Sequence, residues 1–206
     1  KNRLYLNDGS ATPFSGAADS DIGTETEKSE KIDLADVDSD GDIDVLVANN
    51  STSVPNRLYM NNGTASPFLN VTSVNISSEQ VATYGIRAAD IDGDGDMDIV
   101  AANQSAVNRV FLNDVSSGNF GVPGNNAFGG AGNASQSLDV GDVDGDGDLD
   151  VVEGNNGFNK LYLSNGSSAP FEGVTGTNIG IEQDDSRAIK LADMDGDGDL
   201  DVVVGN

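Results

Sequence analysis

Apolar residues recur along this chain in short runs that alternate with polar positions, and four times the alternation stops at a dense cluster of aspartates. Ahead of each cluster, Ile32 and Leu34, Ile86 and Ala88, Leu138 and Val140, and Ile189 and Leu191 fall on one face of an extended segment. Behind each cluster comes an apolar run, such as "DVLVAN" or "DIVAAN", of the kind that fills a buried strand. A third segment, "NRLYLN" or a variant, leads into Asn-Asp-Gly, Asn-Asn-Gly or Ser-Asn-Gly, which accept the positive φ of tight hairpins. A fourth, weaker strand is expected after Phe14, Phe68, Phe120 and Phe171. No segment keeps a 3.6-residue period over helix length, so the pattern predicts an all-β chain.

The pattern is also periodic on a larger scale. Aligned on the first Asp of each cluster, the chain reads "DVDSDGDIDVLVAN" from Asp36, "DIDGDGDMDIVAAN" from Asp90, "DVDGDGDLDVVEGN" from Asp142 and "DMDGDGDLDVVVGN" from Asp193, at spacings of 54, 52 and 51 residues. The segment that follows each cluster is "NRLYMNNGTASPF" from Asn56, "NRVFLND" from Asn108 and "NKLYLSNGSSAPF" from Asn159. Its fourth copy opens the chain, "NRLYLNDGSATPF" from Asn2. Four short antiparallel strands in about 51 residues describe a propeller blade.

We therefore expect one β-propeller domain over residues 1–206, with repeat units at about 30–83, 84–136, 137–186, and 187–206 plus 1–29. The last blade would be closed by pairing the N- and C-terminal strands, which protects strand edges, or the chain is part of a larger propeller. Three assemblies fit the offset: a ring of four blades, two chains sharing a larger ring, or an excerpt of a longer array. The chain starts without Met and stops within the apolar run "DVVVGN", which leads us to expect an excerpt. Three positions before each cluster stand Asp33, Arg87, Asp139 and Lys190, alternating in sign along the innermost strands. They are either solvated positions or pairs between neighbouring blades near the axis.

Composition narrows the chemistry. The 206 residues include no Cys, no His and no Trp, which removes disulfides, thiol chemistry, the commonest general base and most zinc sites. No apolar run approaches the ~20 residues of a membrane span, and the opening "KNRLYLNDG" lacks the apolar stretch of a signal peptide. The formal charge of -25 argues against nucleic acid and anionic membrane as partners, and with no apolar run of spanning length direct membrane insertion is not expected. Twenty of the 35 acids sit in the four clusters, however, so the rest of the chain carries a balance of only -5.

The clusters have the spacing D-x-D-x-D-G-x-x-D, with carboxylates at positions 1, 3, 5 and 9 and Gly at position 6, where the chain must turn. Ca²⁺ takes six to eight oxygens at about 2.3–2.6 Å in flexible geometry, which suits alternating carboxylates and one main-chain carbonyl. The expected metal residues are Asp36, Asp38, Asp40 and Asp44, with Asp42 giving its carbonyl. The equivalents are Asp90, Asp92, Asp94, Asp96 and Asp98, then Asp142, Asp144, Asp146, Asp148 and Asp150, then Asp193, Asp195, Asp197, Asp199 and Asp201. About four Ca²⁺ ions are expected, one per repeat. Mg²⁺ fits less well because it demands a strict octahedron and keeps its waters. The loops are not EF-hands, whose position 12 is a bidentate Glu. Here that position is Val47, Ala101, Glu153 and Val204, inside a strand, and Glu153 reads as a polar residue specific to its blade.

Calcium loop, apolar strand, "NRLYMNNG" and "PF", together with "FGGAG" at Phe128 to Gly132, resemble the FG-GAP/VCBS-type repeats of integrin alpha-chain-like β-propellers. The resemblance spans essentially the whole chain, and the third unit departs most, with "RVFLNDV" and a Gly/Asn-rich stretch from Gly118 to Asn133. It implies an extracellular or cell-surface module that binds a protein or carbohydrate ligand, with structural calcium and without enzymatic activity. Two other readings stay open: a structural subunit forming oligomers through shared blades, and a calcium-dependent polysaccharide lyase.

Tyr5, Tyr59, Phe111 and Tyr162 share one repeated position and read as packing between blades, as do the bases Arg3, Arg57, Arg109 and Lys160 beside them. Tyr84 has no counterpart in the other units. Specificity is expected in the loops that do not repeat, chiefly Asn50 to Pro55 and Gly118 to Asn133. N-x-S/T matches at Asn50, Asn62, Asn70, Asn75, Asn103, Asn133 and Asn165 would accept glycans in a secreting eukaryote.

Overall fold

A computed structural model of the chain describes residues 1–15, 19–115, 119–122, 126–130, 132 and 134–206. Parts of the stretch from Gly118 to Asn133, including Ala131 of the "FGGAG" element and the glycan match at Asn133, lie outside the described residues. The described residues form strands, turns and loops without an α-helix, and no helix is long and apolar enough to cross a membrane.

Each repeat places its strands as the alternation predicts. In the first complete blade, β3 (Ser29–Ala35), β4 (Asp44–Asn49), β5 (Arg57–Tyr59) and β6 (Val74–Asn75) pair antiparallel in that order. The second is built of β7 (Thr83–Ala89), β8 (Asp98–Asn103) and β9 (Asn108–Asp114), with β10 (Asn119–Val122) and β11 (Ala127–Phe128) both on the outer side of β9. In the third, β12 (Ser135–Gly141) and β14 (Thr177–Asp185) flank one long β13 (Asp150–Tyr162) that spans two of the expected strands. Two hairpins remain: β1 (Asn2–Tyr5) with β2 (Asp19–Ile22), and β15 (Ala188–Ala192) with β16 (Asp201–Gly205).

The strands after the loops are buried on both faces, which is why they read as unbroken apolar runs. Leu46, Ala48 and Leu58 face Ile86, Ile99, Ala101 and Phe111 of the next blade. Val100, Ala102 and Val110 in turn face Leu138, Val151 and Tyr162. Ile22 and Leu4 of the first hairpin pack on Val45, Val47, Tyr59 and Phe68. Tyr59, Phe111 and Tyr162 are buried between blades as expected, and Phe128 meets the Tyr162 ring edge-on at 5.0 Å. Tyr5 is exposed, and Tyr84 is half-buried on β7. The four bases beside the aromatic position are held on the outer strands. Arg57 meets Glu27 at 3.0 Å, Arg109 meets Glu79 at 2.6 Å, Arg3 meets Asp21 at 3.8 Å, and Lys160 donates to Asn178.

The alternating charges are pairs between blades. Arg87 Nε donates to Asp139 Oδ1 at 2.8 Å and its Nη1 lies 3.6 Å from Asp33, while Lys190 Nζ lies 3.3 Å from Asp139. Each acid also takes a main-chain N–H from the following blade: Ala88 donates to Asp33 at 2.8 Å and Leu191 to Asp139 at 3.0 Å.

Closure of the last blade by the chain's own ends is absent among the described residues. β1 pairs only with β2, and β16 only with β15. The physical reason is the core that holds each hairpin. Ile22 and Leu4 fix β1–β2 in the place of an outer half-blade before β3–β6, while β15 packs on β12 and β13 at the other end of the series. Among the described residues the order is thus three blades in series, with the β1–β2 hairpin before them and the β15–β16 hairpin after them.

Candidate metal centres

Each aspartate cluster is the turn between the innermost strand of a blade and the strand after it. The loop must reverse direction within a few residues, and the four position-6 glycines, Gly41, Gly95, Gly147 and Gly198, all have φ between 95° and 99°. Position 4 also lies in the left-handed region, at Gly93, Gly145 and Gly196 and at Ser39, whose φ is 59°. The first carboxylate organises the turn. Asp36 accepts the N–H groups of Asp40 and Gly41 at 3.1 and 2.9 Å, and Asp142 accepts those of Gly145, Asp146 and Gly147. The position-5 carboxylate closes an Asx turn on position 7, as Asp40 does with the Asp42 N–H at 2.9 Å.

This geometry brings together three of the carboxylates expected in each loop. Asp36, Asp38 and Asp40 offer oxygens within 4.8 Å of one another, as do Asp90, Asp92 and Asp94, Asp142, Asp144 and Asp146, and Asp193, Asp195 and Asp197. Two oxygens bound to one Ca²⁺ at about 2.4 Å are at most about 4.8 Å apart, so the triplets have the spacing a single ion requires. Asp38 Oδ1, Asp90 Oδ1 and Asp92 Oδ1 are buried with no hydrogen-bond donor from the protein. Burial, and then repulsion from the neighbouring aspartates, pushes the carboxyls of Asp38 and Asp92 above the ordinary carboxylate range. A hard divalent cation would supply what these oxygens lack, and the donor set fits it.

The position-9 aspartates are placed differently. Asp44 is buried and accepts the Val37 N–H at 2.9 Å on one oxygen and the Asn61 N–H at 2.7 Å on the other. Asp98 takes Ile91 and Asn113, and Asp150 takes Val143 and Ser164, in the same way. Each ties its loop to the third strand of the blade and lies outside the triplet. Burial pushes Asp98 up to about 7 against these donors, and raises Asp44 and Asp150 in the same direction. Asp201 accepts the equivalent inner bond, from the Met194 N–H at 3.0 Å.

The position-7 side chains of Asp42, Asp96, Asp148 and Asp199 also lie outside the triplets, and Asp96 accepts the Val115 N–H at 2.9 Å. The loop of one blade touches the next: Asn113 Nδ2 donates to the Val37 carbonyl at 2.8 Å. The fourth triplet is fully exposed, whereas the first two are half-buried at positions 1 and 3.

The other rim of each sheet carries a polar network that the aspartates overshadow in the sequence. Asn56 Nδ2 donates to Thr83 Oγ1 of the next blade at 2.9 Å, and Thr83 donates to Asn103 Oδ1 at 2.7 Å. Asn108 continues the series by donating to Glu153 of the third blade at 2.7 Å. Glu153 is fully buried and also accepts the Ser135 and Tyr162 hydroxyls. The signal was present in the sequence: an asparagine, Asn49, Asn103, Asn155 or Asn206, stands thirteen positions after the first Asp of every cluster, and a hydroxyl residue, Ser29, Thr83, Ser135 or Ser186, stands seven positions before that Asp.

A family model described as an FG-GAP-like repeat matches residues 36–101, 90–153 and 146–204. A comparison with curated proteins found no match.

Proposed function

We propose that this chain, which belongs to the FG-GAP-like repeat family, is a calcium-stabilised ligand-recognition module of the cell exterior. The observation that carries the metal reading is the set of four aspartate triplets, three of whose buried oxygens have no protein donor. Calcium is structural in this reading. Positions 1, 3 and 5 would hold it, position 7 would add its carbonyl, and position 9 would join the held loop to the rest of its blade. Four bound ions would raise the formal charge from -25 to -17. Extracellular modules bind calcium with dissociation constants of about 10⁻⁴–10⁻³ M, which matches millimolar calcium outside cells.

The recognition surface lies in residues that do not repeat, of which Asn50 to Val54 are the best described, lying exposed or half-buried between β4 and β5. A non-catalytic role is supported by the engagement of Arg57, Arg109 and Lys160 in contacts on the outer strands. Calorimetric titration with CaCl₂ tests the metal reading, with saturable binding of about four ions expected, and heats of dilution alone would end it. Glycan arrays and panels of surface proteins, probed with calcium and with EDTA, test recognition. Binding to neither would leave a calcium protein without a recognition role.

A further inference from the structure

The base on the third strand of each blade has partners that repeat with the blades until the third. Arg57 reaches Asn75, 18 residues ahead of it, and Glu27, 30 residues behind it. Arg109 meets Glu79, again 30 residues behind, at 2.6 Å. Lys160 keeps the amide partner, donating to Asn178 18 residues ahead, but the residue 30 positions behind it is Gly130. The third blade thus holds the base of a repeated ion pair where the acid has become a glycine, and among the described residues no other acid pairs with Lys160.

A cleft of about 310 Å³ opens between Gly130 and Lys160 and is walled by Gly129, Tyr162, Thr175 and Gly176. Lys160 is the one charged side chain among the described residues that line it. The floor is fixed, because the Tyr162 hydroxyl donates to the buried Glu153 at 2.9 Å. Gly176 lies so close to that ring that a Cβ there would stand 2.5 Å from it, so a larger residue would displace the floor. The volume falls at the lower end of small-molecule sites, about 300–1,000 Å³, and leaves room for more than a carboxylate alone.

We propose that this cleft binds the carboxylate of a small acidic ligand, a sugar acid or an acidic amino acid, which takes on Lys160 the place that Glu27 takes on Arg57. The site deepens the recognition reading, on which it rests, and it is separate from the calcium loops. The bound carboxylate accepts a charge-assisted hydrogen bond from Lys160 Nζ, whose three rotatable donors suit an acid arriving from outside better than the fixed fork of an arginine. The chain's charge of -25 opposes an anion at long range, but at 0.15 M ionic strength that repulsion is screened beyond about 8 Å.

Titration of the calcium-loaded chain with glucuronate and with N-acetylglutamate amide, followed by amide NMR, tests this. The expected result is saturable shifts at Gly129, Gly130, Thr175 and Gly176 with at least one of the two acids, the tighter acid naming the source, and none with glucose or N-acetylglutamine amide. Gly130→Glu restores the acid of the other blades, and Lys160→Gln removes the charge. Each is expected to weaken binding by at least about tenfold, the worth of a charge-assisted hydrogen bond. Gly130 lies outside the left-handed region that Gly129 occupies at φ 73°, so Gly130→Glu should melt no lower than the wild type, which separates a filled cleft from an unfolded chain. Saturation with neither acid, equal shifts with the uncharged analogues, or unchanged binding in both variants overturns the proposal. If glycan arrays or surface proteins still capture the chain while neither acid binds, the carboxylate site falls and the recognition reading stands.

Discussion

Arg87 and Asp139 stand 52 residues apart on neighbouring blades, and the guanidinium Nε donates to the carboxylate at 2.8 Å. Asp139 is buried, which by itself would raise its carboxyl, but Arg87, the Leu191 N–H and the Lys190 charge hold it below the ordinary carboxylate range. A carboxylate more acidic in the folded than in the unfolded state stabilises the fold above its unfolded pKa, and that contribution is lost as the pH falls through the folded value. Asp139→Asn is therefore expected to cost about 2 kcal/mol at neutral pH, the loss of charge-assisted hydrogen bonds. The melting difference between variant and wild type, both saturated with calcium, should shrink as the pH falls below about 4. A difference independent of pH would show that the carboxylate charge contributes nothing.

Loss of metal acts on all blades at once. At calcium one hundred times its dissociation constant, each site adds about 2.7 kcal/mol to the folded state, so EDTA should lower the melting temperature steeply. Asp92→Asn removes a buried ligand from the second triplet and is expected to reduce the calorimetric stoichiometry from about four ions to three. The exposed triplet of Asp193, Asp195 and Asp197 should be the weakest site in the isolated chain and the first emptied in a chelator titration.

Ser39 occupies a left-handed position that the other three loops give to glycine. The departure from the repeat leaves the ligand set unchanged, because position 4 contributes no carboxylate, but it strains the backbone. Ser39→Gly should stabilise the protein by about 0.5–1 kcal/mol, and Gly41→Ala should destabilise it by about 1–2 kcal/mol. Thermal melts in calcium would measure both, and equal stability of all three proteins would rule the strain out.

Glu153 replaces the apolar residue of the other blades, so restoring the repeat there should be harmful. Glu153→Val removes the buried acceptor that Asn108, Ser135 and Tyr162 share, at an expected cost of about 3 kcal/mol. Adding Ser135→Ala and Tyr162→Phe removes two of those donors and should recover about half of the loss. Chemical denaturation of the single and triple variants measures it, and additive destabilisation would contradict the network.

The parts of this architecture that were legible in the sequence are the local ones. A turn that needs glycine at position 6 and carboxylates at alternating positions is written within nine residues, and the match between Ile86, Leu138 and Ile189 fixes the buried face of the inner strands. The role of Asp44 was not legible, because its partner Asn61 is brought to it only by the register of the third strand. Nor was the cover over each inner strand: Ile32 and Ile86 are the same residue in the same motif, yet Ile86 is buried against Leu46 and Leu58 of the preceding blade while Ile32 is 55% exposed. The alternation of Asp33, Arg87, Asp139 and Lys190 was visible, but pairing and solvation predict the same letters.

The asparagine rim and the aspartate rim lie at opposite ends of the same central strands, and only one of them depends on an ion. Val45 and Ala48 are three positions apart on one strand, yet after chelation their amides should part company. Hydrogen exchange is expected to accelerate first beside Asp44 and Asp98, while the ends at Asn49 and Asn103, held by Asn56 and Asn108, keep their protection. Emptied of calcium, the molecule would splay along one rim and stay joined along the other, so that reloading starts from blades already in order.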